Sequence, residues 1–139
     1  MIHAWVDLWD AKEHPRTLSI LRITVASVLL MDLAGIGLHG LVVPLMAPVA
    51  DGGWGGTAGT ASVPGVGRVP LPFGDPSAGL YTIRVLAALG LLIGFGTRVH
   101  ALMLALCSAQ VALWVPYADR GIDMLLRNVL WILVFARSD

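Results

Sequence analysis

The chain has 139 residues, with nine basic and nine acidic side chains and a formal net charge of zero. Hydrophobic residues make up 57% of it and charged residues 13%, against roughly 25% charged residues in a typical soluble domain. So few charges could not cover a surface that faces water. The sequence also lacks a basic stripe of the kind that binds nucleic acid. A single cysteine, Cys107, excludes an internal disulfide and any CxxC metal or redox motif.

The first segment has the spacing of a short amphipathic helix. Ile2, Trp5, Val6 and Trp9 recur at i, i+3, i+4 and i+7, which places them on one helical face. Tryptophans on such a face suit the headgroup region of a bilayer. The pattern predicts an interfacial helix over residues 2–12; the alternative is a chain terminus with two packed tryptophans.

The first long apolar segment runs over residues 18–38. About 20 residues cross a bilayer at a rise of 1.5 Å each, so this segment is long enough to span. It contains Arg22 and Asp32, and charges inside a span are costly unless they face protein. Residues 44–78 then hold six of the eight prolines and eight of the sixteen glycines, which predicts a long outer loop, either functional or a plain linker.

Three further apolar segments follow, at about 80–96, 98–116 and 121–136. Their connectors are short, so consecutive helices should lie antiparallel. The predicted fold is therefore all-α, a single domain over 1–139 that forms an integral membrane four-helix bundle. The last segment is short for a span, which indicates either an adapted bilayer or a natural chain that continues past its end.

Small and aromatic residues mark two features of these segments. Gly90 and Gly94 have the GxxxG spacing that lets helices approach closely in membranes, so they are predicted helix-packing residues. Trp114 and Tyr117 end the third segment and are predicted, with the two N-terminal tryptophans, to anchor the protein at the membrane interface.

The distribution of basic residues predicts the orientation. Four spans place both termini and the 96–99 connector on one side of the membrane. That side holds Lys12, Arg16, Arg98 and Arg137, whereas the other holds Arg68 and Arg120. We therefore expect both termini in the cytoplasm and the 44–78 loop outside the bacterial inner membrane.

Polar residues from all four spans are predicted to meet in one layer of the outer half of the membrane. The depth of each residue in the membrane follows from a rise of 1.5 Å per residue along its helix. These depths place the following residues in the layer: Asp32, Arg84, Gln110, Asp123, Arg127 and Asn128. The layer is either a salt-bridge network that fixes helix register or a polar pocket for a ligand headgroup or proton transfer. Asp32 and Arg127 fall at equal depth, which predicts that they pair, with Arg84 as the second choice.

Several of these motifs resemble one family. Four segments resemble, in this order, segments of the bacterial horizontally transferred transmembrane domain family: residues 15–23, 31–33, 89–98 and 123–128. That family is related to the vitamin K-dependent gamma-carboxylase. The resemblance implies a helical membrane fold and a relative that oxidises a reduced quinone. It does not imply carboxylase activity, because that chemistry uses a lysine base and the only lysine here is Lys12. The DoxX-type four-helix membrane proteins are the alternative family.

The residues carry no clear catalytic signature. No nucleophile–base pair or phosphate loop occurs, and the four histidines lie scattered at helix ends and connectors, without metal-site spacing. The first hypothesis is thus a non-catalytic accessory or scaffolding subunit, with membrane lipids and other membrane-protein subunits as partners. The second is a quinone- or lipid-binding protein, or a fragment of a carboxylase-like membrane enzyme. No cofactor is required by the sequence, although a bound lipid or quinone would suit the polar layer.

Overall fold

Helices dominate the structure, a computed structural model that describes residues 15–55, 60–63, 67–70, 78–115 and 119–136. In chain order the elements are helix α1 (Pro15–Leu38), short helix α2 (Val42–Met46), a 3-10 turn (Val49–Asp51), strands β1 (Thr60–Val63) and β2 (Gly67–Pro70), and helices α3 (Ala78–Ile93), α4 (Thr97–Trp114) and α5 (Gly121–Phe135). The mostly helical character agrees with the predicted all-α class. The predicted interfacial helix over 2–12, with Trp5 and Trp9, and the predicted anchor Tyr117 lie outside the described residues.

The four long helices pack as sequential neighbours. α1 contacts α3, α3 contacts α4 and α4 contacts α5, and α1 also contacts α5, which closes the arrangement. Small side chains let the helices approach closely. The fully buried core residues are Ala26, Ala88, Leu91, Ala101, Leu104, Ala105, Leu130 and Leu133.

A glycine cap separates α3 from α4. α3 ends at Ile93, and Gly94 follows in the left-handed region with φ +88°. The backbone N–H groups of Gly94 and Phe95 both donate to the Gly90 carbonyl, at 3.0 and 3.1 Å, as in a glycine-terminated helix end. The predicted helix through residue 96 is thus too long. Gly94 lies in the helix cap, where a Cβ would also come within 2.8 Å of Arg22 on α1.

Gly90 does lie at a close contact between helices. A Cβ at this position would overlap the imidazole ring of His100 on α4. Tyr81 connects α3 to α1 in a similar way, because its hydroxyl donates to the Leu33 carbonyl at 2.8 Å. A Cβ at Gly37 would lie 2.5 Å from that hydroxyl, so a larger residue there would displace the Tyr81 side chain.

The predicted outer loop contains regular structure. β1 and β2 pair antiparallel, with Thr60 opposite Pro70, and β1 contacts α4. Residues 42–55 fold back over one end of the long helices, where the Gly55 N–H donates to the Ala47 carbonyl at 2.9 Å. Part of this loop is therefore a structured cover rather than an unstructured linker.

Trp114 joins this cover to α4. Its indole N–H donates to the Met46 carbonyl at 3.3 Å, and only 1% of the residue is exposed. A Cβ at Gly55 would overlap the indole, so the chain passes directly against the ring. The prediction that Trp114 is an interfacial anchor is wrong, because the cover excludes the side chain from any surface.

Within the described parts of the chain, two helices are long and apolar enough to cross a membrane, over Arg16–Leu38 and Thr97–Trp114. α3 is apolar over Gly79–Ile93 but shorter, and α5 has 15 residues. The structure therefore shows two candidate spans, and the membrane-embedded four-helix bundle stays a prediction.

Candidate functional site

A cavity of about 290 Å³ lies between the long helices at the end covered by residues 42–55. α1, α3, α4, α5 and the 119–120 connector all contribute to its wall. Its charged and hydroxyl-bearing lining residues are Asp32, Arg84, Ser108, Asp119, Arg120, Asp123 and Arg127. The remaining lining residues are apolar: Leu29, Ile36, Leu45, Met46, Val111, Ala112, Val115 and Leu126.

The structure brings most of the predicted polar layer together. Asp32, Arg84, Asp123 and Arg127 all line the cavity. Gln110 is buried, with 1% exposed, but it is not among the lining residues. Asn128 is exposed and also lies off the cavity wall, so its inclusion in a buried layer is wrong, because its position on α5 turns away from the other helices.

Arg120 links two of the aspartates. Its Nη2 donates to Asp32 at 2.7 Å, and its Nε donates to Asp123 at 3.0 Å. Asp123 also accepts the Arg120 backbone N–H at 3.0 Å, which caps the start of α5. The hydrogen bond that Arg120 donates to Asp123, followed by the one that it donates to Asp32, raises the pKa of Arg120 above its ordinary value. The exposed guanidinium of Arg120 therefore pairs with two carboxylates.

Arg127 is paired separately. Its Nη1 and Nη2 donate to the two carboxylate oxygens of Asp119, at 3.0 and 2.6 Å. The side chains are 16% and 20% exposed, so this two-bond pair is well shielded from water.

The predicted Asp32–Arg127 pair is therefore wrong, and among the described residues Asp32 pairs with Arg120 rather than with the second choice, Arg84. The physical reason is the connector before α5. Asp119 and Arg120 fold back over the cavity and supply the partners that the depth calculation assigned within the spans. Asp123, one turn before Arg127 on α5, also pairs with Arg120.

Two buried polar groups in the cavity wall lack hydrogen-bond partners among the residues that the structure describes. Arg84 is 8% exposed, and its Nε has no partner. The Ser108 hydroxyl oxygen is also buried without a partner. Most buried polar groups in proteins are hydrogen-bonded, so two exceptions in one cavity wall require an explanation.

The composition of the cavity suits a small molecule. Ligand sites have mostly apolar walls and a few polar groups that fix orientation, with volumes of roughly 300–1,000 Å³. This cavity lies at the lower end of that range. Among the residues with described positions, no cluster of three or more histidine, cysteine, aspartate or glutamate side chains could hold a metal ion.

Sequence reasoning missed Ser108, Asp119 and Arg120 as cavity residues. For Arg120 a signal was present, because Asp123 three residues later has the N3 spacing of a capping box. Ser108 carries a weaker signal, a single hydroxyl within an otherwise apolar helix.

Comparisons with protein-family models, curated proteins and solved structures found no match in any of the three.

Proposed function

We propose that this chain is a multi-pass membrane protein that binds a small amphiphilic molecule, of lipid or quinone type, in the cavity beneath residues 42–55. The observation that carries the proposal is Arg84, a buried cation in the cavity wall whose Nε lacks a hydrogen-bond partner. Removing a guanidinium from water without a partner is unfavourable, and a bound polar headgroup would supply the missing interaction.

The apolar part of the wall supports an amphiphile over a purely polar ligand. Leu29 and Ile36 lie on the α1 side, and Val111 and Leu126 lie on the α4 and α5 sides. A molecule with its head at Arg84 would place its apolar part against these side chains, where burial of apolar surface contributes about 25 cal/mol per Å².

The outer surface of the helices supports membrane insertion. Large apolar residues are exposed on every long helix, and contiguous exposure of this kind is unfavourable in water. Examples are Ile20 at 66%, Met31 at 76%, Leu86 at 61%, Val99 at 61% and Ile132 at 55% exposed. In the proposed arrangement lipid covers these residues, both termini lie in the cytoplasm, and residues 42–55 face the opposite side of the bacterial inner membrane.

An accessory or scaffolding role is a second hypothesis that the exposed apolar faces also accommodate. A partner helix would cover the same side chains that lipid would cover, so these faces favour neither role. The cavity favours ligand binding, because a purely structural salt-bridge network would not leave the buried Arg84 Nε and Ser108 Oγ without hydrogen-bond partners among the described residues. Membership of the horizontally transferred transmembrane domain family remains part of the proposal, on the motif order given above.

The proposal is tested by extracting the protein purified from native membranes in mild detergent. We expect an organic extract of the wild type to contain one amphiphile, in about equal amount to the protein, that is depleted in Ala112→Trp. Ala112 lines the cavity, and the larger side chain would fill it. Ala34→Trp is the matched control, because Ala34 is exposed on α1 away from the cavity. An extract that is the same for both variants would contradict the proposal.

A further inference from the structure

We infer that the headgroup of the bound molecule is a carboxylate, seated on the guanidinium of Arg84 and the hydroxyl of Ser108. This inference rests on the proposed function and specifies the chemical class of its ligand. Arg84 and Ser108 line the same cavity, are contributed by α3 and α4, and each has a buried polar atom without a hydrogen-bond partner.

The distribution of partners among the three cavity arginines is uneven. Arg127 has the two oxygens of Asp119, and Arg120 has both Asp32 and Asp123. Because two of the three aspartates converge on one arginine, Arg84 is the cavity arginine that none of the described carboxylates contacts. A carboxylate from a ligand would give Arg84 the kind of partner that Arg120 and Arg127 already have.

The burial of Arg84 favours an ion pair over a neutral contact. Arg84 is 8% exposed, whereas the Arg120 side chain is 60% exposed and can be solvated. A buried charge is stabilised most by an opposite charge with good hydrogen-bond geometry. An ester, an alcohol or a quinone carbonyl would accept a hydrogen bond from Arg84 but would leave its charge without a direct counter-ion.

The chemistry of the two groups suits a singly charged planar head. A guanidinium presents parallel N–H groups that match the two oxygens of a carboxylate. The Ser108 hydroxyl can donate one further hydrogen bond. Asp32 and Asp123 line the same cavity and would repel added negative charge. The site is therefore better matched to one negative charge than to a doubly charged phosphate.

The test uses decanoate and methyl decanoate as probes, which share an alkyl chain and differ in charge. Binding to the purified full chain is measured by native mass spectrometry and by the rise in Tm that a ligand specific for the folded state produces. We expect decanoate to bind one per chain and the ester to bind at least tenfold more weakly. Arg84→Gln should weaken decanoate binding roughly tenfold to a hundredfold, the range for a hydrogen bond to a charged group.

Two further variants keep the result interpretable. Arg16→Gln removes an exposed arginine at the start of α1 and should leave decanoate binding unchanged. Ser108→Ala should weaken decanoate binding by a smaller factor, which provides a second test if Arg84→Gln fails to fold. Equal binding of acid and ester to the wild type would overturn the carboxylate inference while leaving amphiphile binding intact. Failure of both probes to bind would overturn the inference and count against the proposed function too.

Discussion

Asp32 and Arg120 lie 88 residues apart in the chain, and their side chains form an ion pair of 2.7 Å. The pair joins α1 to the residue that precedes α5 and places Arg120 at the cavity wall. Arg120 simultaneously holds Asp123 at 3.0 Å. As a consequence, Arg84 in the wall of the same cavity has no carboxylate partner among the described residues.

The Asp119–Arg127 pair is expected to contribute more stability than the Asp32–Arg120 pair. Asp119→Asn removes a two-bond partner from an arginine side chain that is 16% exposed. The expected loss is on the order of 1–3 kcal/mol, because a largely buried donor would be left unmatched. Chemical denaturation in detergent would measure it, with Asp51→Asn in the exposed 3-10 turn as the matched control.

The double change Asp119→Asn with Arg127→Gln should recover part of that loss. Removing both members of a buried pair is less costly than removing one, because no uncompensated charge remains. If the double variant loses more stability than the two single variants lose together, Asp119 and Arg127 do not stabilise each other as a pair.

Asp32→Asn should have a small effect on stability by comparison. The Arg120 side chain is 60% exposed and keeps its bonds to Asp123 after the change. Solvent-exposed ion pairs contribute about 0–1 kcal/mol. A loss as large as that of Asp119→Asn, measured under the same conditions, would show that Asp32 has a partner other than Arg120.

Gly94→Ala should destabilise the protein by about 1–2 kcal/mol, the cost of a left-handed conformation for a residue with a Cβ. Gly94 has φ +88°, and a Cβ there would also lie 2.8 Å from Arg22 Nη1. Gly35→Ala is the matched control: Gly35 lies within α1 with nothing near its Cβ position, so alanine should be neutral or stabilising. Thermal unfolding would separate the two, and equal Tm values would show that the helix cap is not constrained.

Trp114→Phe should loosen the cover without unfolding the helices. The change removes the indole hydrogen bond to Met46, whose net contribution is about 0.5–1.5 kcal/mol. We expect faster proteolysis within residues 42–55 and a modest fall in Tm. Trp54→Phe in the same segment should change neither, because Trp54 is 68% exposed.

The orientation is tested with single cysteines in a Cys107→Ser background. Ala50→Cys and Val99→Cys both lie at exposed positions, in the cover and at the start of α4. The four-span arrangement predicts that a membrane-impermeant maleimide labels them from opposite sides of the membrane, with position 50 outside. Labelling of both from one side would refute that arrangement.

The helices could be predicted from the sequence because apolar run length and short connectors are local signals. The predicted 18–38 and 121–136 segments correspond to Pro15–Leu38 and Gly121–Phe135. Depth arithmetic also placed Asp32, Arg84, Asp123 and Arg127 at one level, and all four line the cavity. The rise per residue fixes the height of each residue along its helix axis. That height is enough to predict that these four residues lie at the same level.

The partners of those charges could not be predicted in the same way. Depth does not specify which direction a side chain faces, and it treats a connector as lying outside the layer. Asp119 and Arg120 fold back into the cavity wall and take Arg127 and Asp32 as partners. The environment of Trp114 was missed for a related reason, because the fold of the 42–55 cover depends on contacts between distant segments.

Native mass spectrometry of the protein released from its own membranes is the most direct test that the cavity holds a small amphiphile. The wild type should carry a single small adduct per chain. Arg84→Gln should lose the adduct, and Arg16→Gln should retain it. A wild-type chain free of any adduct, or an adduct that persists unchanged in Arg84→Gln, would contradict the claim.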